Sequence, residues 1–332
     1  MKNILLIYSG GTIGMQKDCN NNSLKGVNFN KLTTSLPELQ NPELRLRHTS
    51  LKKVIDSSNM NKNYWVEITE IIKENYSEMH GFVVLHGSDT MAYTASALSF
   101  MLEGLQKSVI LTGSQIPIGA RRTDAKENLI TSIEIAASGN IKEVCIYFED
   151  KLLRGNRTVK VNSEQFEAFN SPNFPALANV GIHIKYNSNY FFTSNQKELN
   201  TQTNFSEDVA VLKLFPGITK KVVSAVLNSA NNIVLETFGS GNATNKEWFI
   251  TLLKESIHKG IFIVNCSQCL AGEVNQGKYE TSSDLNKIGV ISAKDMTTES
   301  ALTKLMYLDG ICDTNEEKKS LFIKSLRGEI SN

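Results

Sequence analysis

The chain has 332 residues, 41% hydrophobic and 21% charged, which describes a folded globular protein with room for two ordinary domains and excludes a disordered one. Its 35 basic and 34 acidic residues leave a net charge of +1, so nothing in the balance calls for nucleic acid or an acidic membrane as a partner. Five cysteines, an odd number in a long chain, set no disulfide framework, and no apolar run approaches the length of a membrane span.

The chain opens with an apolar run, residues 3–8, that reads as a buried strand and ends at the tip Ser9-Gly10-Gly11-Thr12-Ile13-Gly14. The run is too short for the core of a signal peptide and no small-residue cleavage site follows, so the expected location is the cytoplasm. Residues 17–30 are polar, rich in asparagine and without either period, the pattern of an exposed, mobile loop. Tyr64, Trp65, Ile68, Ile71 and Ile72 then recur at helical spacing. Residues 81–85 form a second buried strand, with His86-Gly87-Ser88-Asp89-Thr90 at its tip. Residues 91–105 are apolar nearly all round, which predicts a buried helix, and residues 108–111 are the next strand. Asp124 is placed to N-cap a helix that stops at Gly139. A strand over 143–148 follows, and residues 151–161 read as a hairpin turning at Gly155-Asn156.

Asparagine, glutamine, serine and threonine crowd residues 187–207, which read as a linker between domains of residues 1–186 and 208–332. The second part continues the alternation, with strands at 209–214, 232–235, 261–264 and 288–291 and helices at 219–228, 246–259 and 298–308 before a charged terminal helix. Alternating strands and helices predict an α/β protein whose mainly parallel sheets are covered by helices. The expected fold is a larger N-terminal, Rossmann-like domain and a smaller C-terminal, flavodoxin-like α/β domain.

In an open parallel sheet, ligands bind beyond the carboxyl ends of the strands. Two tips carrying Thr12 and the Ser88–Asp89 pair therefore mark a place where a hydroxyl can do chemistry. Gly10, Gly11 and Gly14 lack the spacing of a dinucleotide site and no Gly-Lys-Ser/Thr follows, which leaves a tight turn rather than a phosphate cradle. A hydroxyl beside glycines is open to close approach by substrate, but it needs a base to take its proton. It also needs donors for the oxyanion that forms when an amide is attacked, and backbone N–H groups at a strand tip can supply some of them. On the residues alone, Ser88-Asp89 reads as a helix cap, Asp56-Ser57-Ser58 as a capping turn, and Lys160 as a surface lysine. Cys266-Ser267-Gln268-Cys269 is a lone CxxC that follows a strand, without the second pair zinc needs, and the five histidines show no ligand spacing. With no Gly-x-Ser-x-Gly elbow, a serine hydrolase has only His86 and Ser88 in its favour.

These segments, together with Thr112-Gly113-Ser114-Gln115-Ile116-Pro117, Arg154-Gly155-Asn156-Arg157-Thr158 and Gly239-Ser240-Gly241-Asn242-Ala243, resemble the bacterial L-asparaginases almost end to end, specifically their cytoplasmic type I branch. The resemblance implies hydrolysis of L-asparagine to L-aspartate and ammonia through a threonine acyl-enzyme, with no metal or organic cofactor. It implies Thr12 as nucleophile, with Ser88, Asp89 and Lys160 as the supporting relay. Asp56, Ser57 and Ser58 would then grip the substrate's α-amino and α-carboxylate groups, and Gln115 would be a further substrate-facing residue. It also implies a homotetramer built as a dimer of dimers, in which Asn242 lies on the segment a neighbouring subunit contributes to the site. A glutaminase–asparaginase of mixed specificity would share every motif, and a catalytically weak amino-acid-binding homologue would carry most of them.

The sequence departs from the family's pattern at several places. Ser9 and Ser88 stand where threonine is usual, which keeps the hydroxyl but loses the methyl that restricts χ1. Residues 16–29 hold no tyrosine, although a lid tyrosine near the nucleophile is usual in relatives. Type I relatives regulated by asparagine carry an arginine before the second glycine motif and a threonine before the lysine. Glu236 and Val159 stand there instead, so a cationic grip on an effector carboxylate becomes a repulsive one and the allosteric site is not expected to be kept.

Overall fold

A computed structural model describes residues 1–17, 24–26, 37–39, 41–276 and 280–331. Most of the asparagine-rich stretch after the first strand, and with it the expected loop and lid, lies outside the described residues. Residues 1–171 and 175–203 form one compact unit, and residues 172–174 and 204–332 a second.

The first unit is built on strands β1 (Lys2–Gly10), β2 (Leu44–Ile55), β3 (Gly81–Leu85), β4 (Val109–Thr112), β5 (Val144–Phe148), β6 (Lys151–Arg154), β7 (Ala178–Val180) and β8 (Ile184–Tyr186). They make one eight-stranded sheet in the order β8-β7-β6-β5-β4-β3-β1-β2. The five strands from β2 to β5 pair parallel, and β6, β7 and β8 extend the sheet antiparallel. β3 is buried along its whole length and β1 from Ile4 onward, which is why both read as unbroken apolar runs. Among the described residues β2 forms an edge, and its exposed positions include Arg45, Lys52 and Lys53.

Among the described residues, three helices accompany the sheet. Asn61 caps α1 (Lys62–Asn75), accepting from Asn63 N at 3.0 Å, and the helix buries Trp65, Ile68, Thr69 and Ile72. In α2 (Met91–Met101) every residue except Tyr93 is buried, as its all-round apolar pattern predicts. α3 (Ala125–Ser138) ends at Gly139, whose φ of 71° gives the left-handed C-cap its sequence predicts.

Four local expectations are corrected. The helix expected over 91–105 stops at Met101, because Leu102–Glu103 leaves it to pair antiparallel with Asn200–Thr201. Those partners fall in the stretch expected as a linker, so residues 187–203 belong to the first unit and the chain changes unit at 203–204. The hairpin does not turn at Gly155-Asn156. It turns at Glu149–Asp150, where Glu149 takes a φ of 57° and donates its N–H to Asn128 Oδ1 at 2.9 Å. Asp124 sits at the head of α3 without capping it, since its carboxylate instead accepts from the backbone N–H groups of Gln115 (2.9 Å) and Ile116 (3.1 Å). Thr123 Oγ1 accepts from Ala125 N in its place.

The second unit alternates β9 (Val209–Lys213), α4 (Lys220–Leu227), β10 (Asn232–Thr237), α5 (Glu247–His258), β11 (Phe262–Ser267), α6 (Glu280–Lys287) and β12 (Ile291–Ser292), then α7 (Thr298–Ile311) and α8 (Asn315–Phe322). Its four strands are parallel and lie in chain order. Leu212, Val223, Leu227, Ile233, Leu235, Phe249 and Leu253 interlock between this sheet and α4 and α5. Among the described residues, no helix is long and apolar enough to cross a membrane.

Candidate active site

Beyond the carboxyl ends of the parallel strands, the backbone is packed so tightly that side chains are excluded. A methyl added at Gly10 would lie 1.8 Å from Ile55 O, and one at Gly11 2.4 Å from Gly87 N. One at Gly113 would lie 2.4 Å from His86 O. Gly10 and Gly11 also hold φ values of 136° and 88°, which only glycine adopts without strain. The tips of β1, β2, β3 and β4 are thus pulled into one patch. Ser9 helps from below, donating its buried Oγ to Leu85 O at 2.9 Å.

Thr12 opens a short 3-10 turn, Thr12–Gly14, and is half-buried. The residue before it touches the residue before Ser88, so two hydroxyl-bearing residues leave the same backbone contact. Ser88 and Asp89 form a second 3-10 turn, Ser88–Thr90, at the head of α2. Lys160 reaches them from a different part of the chain, with Nζ 2.8 Å from Ser88 Oγ and 2.6 Å from Asp89 Oδ1. The antiparallel return of β6 makes this possible. After it, Gly155–Arg157 passes against α2, so close that a methyl at Gly155 would lie 3.0 Å from Ala95 Cβ, and the strand Val159–Lys160 follows. The Lys160 side chain is 17% exposed, whereas Asp89 is open to solvent at 65%.

Asp56 begins the turn Ser57–Asn59 after β2 and accepts from both Ser58 N (2.8 Å) and Ser58 Oγ (2.7 Å). Those two hydrogen bonds, the hydroxyl's first, hold its carboxyl below the usual carboxylate range. Ser57 is buried against Gly87, and its carbonyl accepts from Thr90 Oγ1 at 2.7 Å, which ties this turn to the Ser88 turn. Gln115 follows the tip of β4, oriented by the Asp124 carboxylate beneath its backbone, and its Nε2 donates to Gln165 O at 3.0 Å. Thr12, Ser57, Ser88, Asp89 and Lys160 are therefore gathered in the first unit, flanked by Asp56, Ser58 and Gln115. Asn242 belongs to the second unit, where it closes a tight turn with Phe238 through Asn242 N to Phe238 O at 2.8 Å.

In the second unit, Glu236 lies at the carboxyl end of β10. Its carboxylate accepts from Thr298 Oγ1 at 2.7 Å and faces Lys213 Nζ at 3.5 Å. Cys266 is buried and Cys269 exposed. Burial pushes the Cys266 thiol well up, which makes it an inert core residue rather than a redox centre.

One group escaped the sequence reading. His86 is fully buried and joins a chain of hydrogen bonds that includes Thr94 of α2 and Trp65 of α1. Trp65 reads as a core position at helical spacing and Thr94 falls in the all-round apolar run 91–105, and neither pattern says which polar atom each one meets.

Residues 3–191 match the family described as asparaginase, N-terminal, and residues 208–322 match the glutaminase/asparaginase C-terminal domain. Over 333 aligned residues the chain is 40% identical to L-asparaginase 1 of Escherichia coli K12, covering 99% of this chain and 98% of that one. The crystal structure of L-asparaginase I from Vibrio cholerae superposes with a TM-score of 0.91 at 40% identity, over 100% of this chain and 99% of that one. The thermostable L-asparaginase from Thermococcus kodakarensis superposes with a TM-score of 0.93 at 30% identity, over 99% of both chains.

Proposed function

The chain belongs to the asparaginase family of amidohydrolases, and from that premise we propose that it hydrolyses L-asparagine to L-aspartate and ammonia. One observation supports this reading most directly. A single lysine Nζ bridges Ser88 Oγ and Asp89 Oδ1, beside the glycine turn that presents Thr12. Side chains from two separate stretches meet there, next to the backbone contact of Gly11 with Gly87, which helix capping alone does not require.

In this reading Thr12 Oγ attacks the carbonyl carbon of the substrate's side-chain amide, and its proton passes into the relay of Ser88, Lys160 and Asp89. The relay returns a proton to the nitrogen as the C–N bond breaks, so ammonia leaves and an ester to Thr12 remains. Water then attacks that ester, L-aspartate departs and the Thr12 hydroxyl is restored. Asp56 suits an α-ammonium group, since its bonds to Ser58 keep it ionised, and Ser57, Ser58 and Gln115 complete the grip on the substrate. The same reading places Asn242 at the site of a neighbouring subunit in a homotetramer, and the protein in the cytoplasm.

Ammonia release measured with asparagine and with glutamine over a wide concentration range tests the substrate. Thr12→Ala should abolish turnover while the variant keeps its fold and still binds asparagine. Near-normal turnover by Thr12→Ala would remove Thr12 as nucleophile, and release from glutamine alone would replace the substrate.

A further inference from the structure

His86 lies between the β3 strand and the Ser88 turn, and its ring is wired at both nitrogens. Nδ1 is 2.6 Å from Gly87 O and Nε2 is 2.9 Å from Thr94 Oγ1. Thr94 Oγ1 is in turn 3.0 Å from Trp65 Nε1. Two of the bond directions in this chain are forced by its ends. An indole N–H only donates and a carbonyl only accepts, so Thr94 must accept from Trp65 and His86 must donate from Nδ1. In a neutral ring Nε2 is then left to accept, so Thr94 gives its one proton to it. Complete burial keeps the imidazole neutral by pushing the His86 pKa down to about 4.

The carbonyl held by this ring belongs to Gly87. In a trans peptide the C=O and the next N–H point in opposite directions, so fixing Gly87 O also fixes the Ser88 N–H and the direction in which the Ser88 side chain sets out. The backbone of His86 is pinned as well, through its N–H to Thr112 O at 2.9 Å. A Cβ at Gly87 would lie 2.5 Å from Ser57 Oγ, so the held peptide sits directly under the proposed substrate grip.

We propose that His86 is a positioning residue for the hydrolysis, its Nδ1–H holding the Gly87–Ser88 peptide so that the Ser88 hydroxyl meets Lys160 and the Thr12 turn. This rests on the amide-hydrolysis reading above. It assigns Thr94 and Trp65 a shared task as well, which is to keep the imidazole in the tautomer that donates toward the site.

Two substitutions separate the two ends of the ring. The asparagine carboxamide nitrogen overlays Nδ1 of a histidine, whereas the glutamine one overlays Nε2. His86→Asn keeps a donor to Gly87 O and should hold kcat for asparagine within about threefold. His86→Gln keeps only the Thr94 side and should lose about 100-fold in kcat with little change in KM, the size expected for a misplacement of about 1 Å. A merely structural histidine would instead lower the melting temperature of both variants and leave kcat per folded molecule alike. Equal kcat in the two, whether both normal or both lost, overturns the proposal.

If His86→Gln does not fold, Thr94→Val and Thr94→Ser decide the same point. Valine removes the hydroxyl that donates to Nε2 and should cost kcat about tenfold, serine should not, and equal values overturn the assignment. Long-range 15N–1H correlation of the His86 ring in the wild-type protein supplies a readout that no substrate enters. An Nδ1–H tautomer that stays neutral from pH 8 to pH 5 is expected, and an Nε2–H tautomer would refute the wiring. A wild-type protein inactive on asparagine but showing the expected tautomer would fail the functional reading alone.

Discussion

Gly11→Ala tests whether the contact between the β1 and β3 tips sets the chemistry. The added methyl would lie 2.4 Å from Gly87 N and 2.5 Å from Gly87 Cα, whereas ordinary contacts begin near 3.4 Å. The obstacle is backbone on both counts, so no side chain can rotate away and the tips must separate by about 1 Å. A displacement of that size costs about 100-fold in rate when it falls between reacting groups, or about 2.7 kcal/mol in the barrier. The φ of 88° adds about 1–2 kcal/mol of backbone strain in the folded state. Gly139→Ala is the control, because Gly139 has a φ of 71° but nothing within 4 Å of the new methyl. Both variants should therefore lose stability, and only Gly11→Ala should lose kcat. Steady-state ammonia release and thermal unfolding, measured on both, separate the two terms. Wild-type kcat in Gly11→Ala, or an equal kcat loss in Gly139→Ala, would show that the tip contact does not position Thr12 against Ser88.

Three further outcomes follow from the same geometry. Ser88→Ala should lower kcat by about two to four powers of ten, the range for a lost proton-transfer group, while Ser88→Thr should be tolerated; a near-silent Ser88→Ala in the ammonia assay would take this residue out of the relay. His86 takes up a proton near its ordinary pKa of 6.5 when unfolded but only at about 4 when folded, so its contribution to stability is complete above pH 6.5 and is lost as the pH falls toward 4. That loss is worth about 3 kcal/mol, and urea unfolding of wild type and His86→Asn between pH 7 and pH 4.5 should show their stabilities drawing together; parallel curves would contradict it. Asparagine saturation should be close to hyperbolic, because Glu236, held by Thr298, sets a negative charge where an effector carboxylate would bind and offsets Lys213, the cation facing it at 3.5 Å. A sigmoidal curve that Glu236→Ala leaves unchanged would place any effector site elsewhere.

The strands that carry Thr12 and Ser88 were legible because strands covered on both faces are written as unbroken apolar runs, with glycine where they end. The helix Met91–Met101 was legible for the same reason, though its end was not, because Asn200–Thr201, which pairs with the residues that follow it, lies far along the chain. Lys160 illustrates the limit best. Nothing near it in sequence points to Ser88, and only an antiparallel return at Glu149–Asp150 followed by a passage along α2 brings them to 2.8 Å. A turn at Gly155-Asn156 was the reasonable local reading, yet that glycine is required by the nearness of Ala95 and not by a hairpin. Asp124 shows the same competition in small: propensity put it at a helix cap, and two backbone N–H groups of the neighbouring strand tip claimed its carboxylate.

The cationic outer strand β2 bears on what happens when copies of this chain crowd together. A sheet edge is a template on which another chain can add a strand, and a long parallel sheet rich in valine, leucine and isoleucine is the kind most exposed to such addition. Here one N–H of that edge, at Lys52, is already taken by Glu67 Oε1 at 2.6 Å. Arg45, Lys52 and Lys53 stand out along the rest. Two such edges brought to strand spacing, about 4.8 Å, would set like charges face to face at about 1 kcal/mol per pair even in water. Arg45 lies at the opposite end of β2 from Ile55 and the glycine-lined tips, so neutralising it should change solubility and leave turnover unchanged.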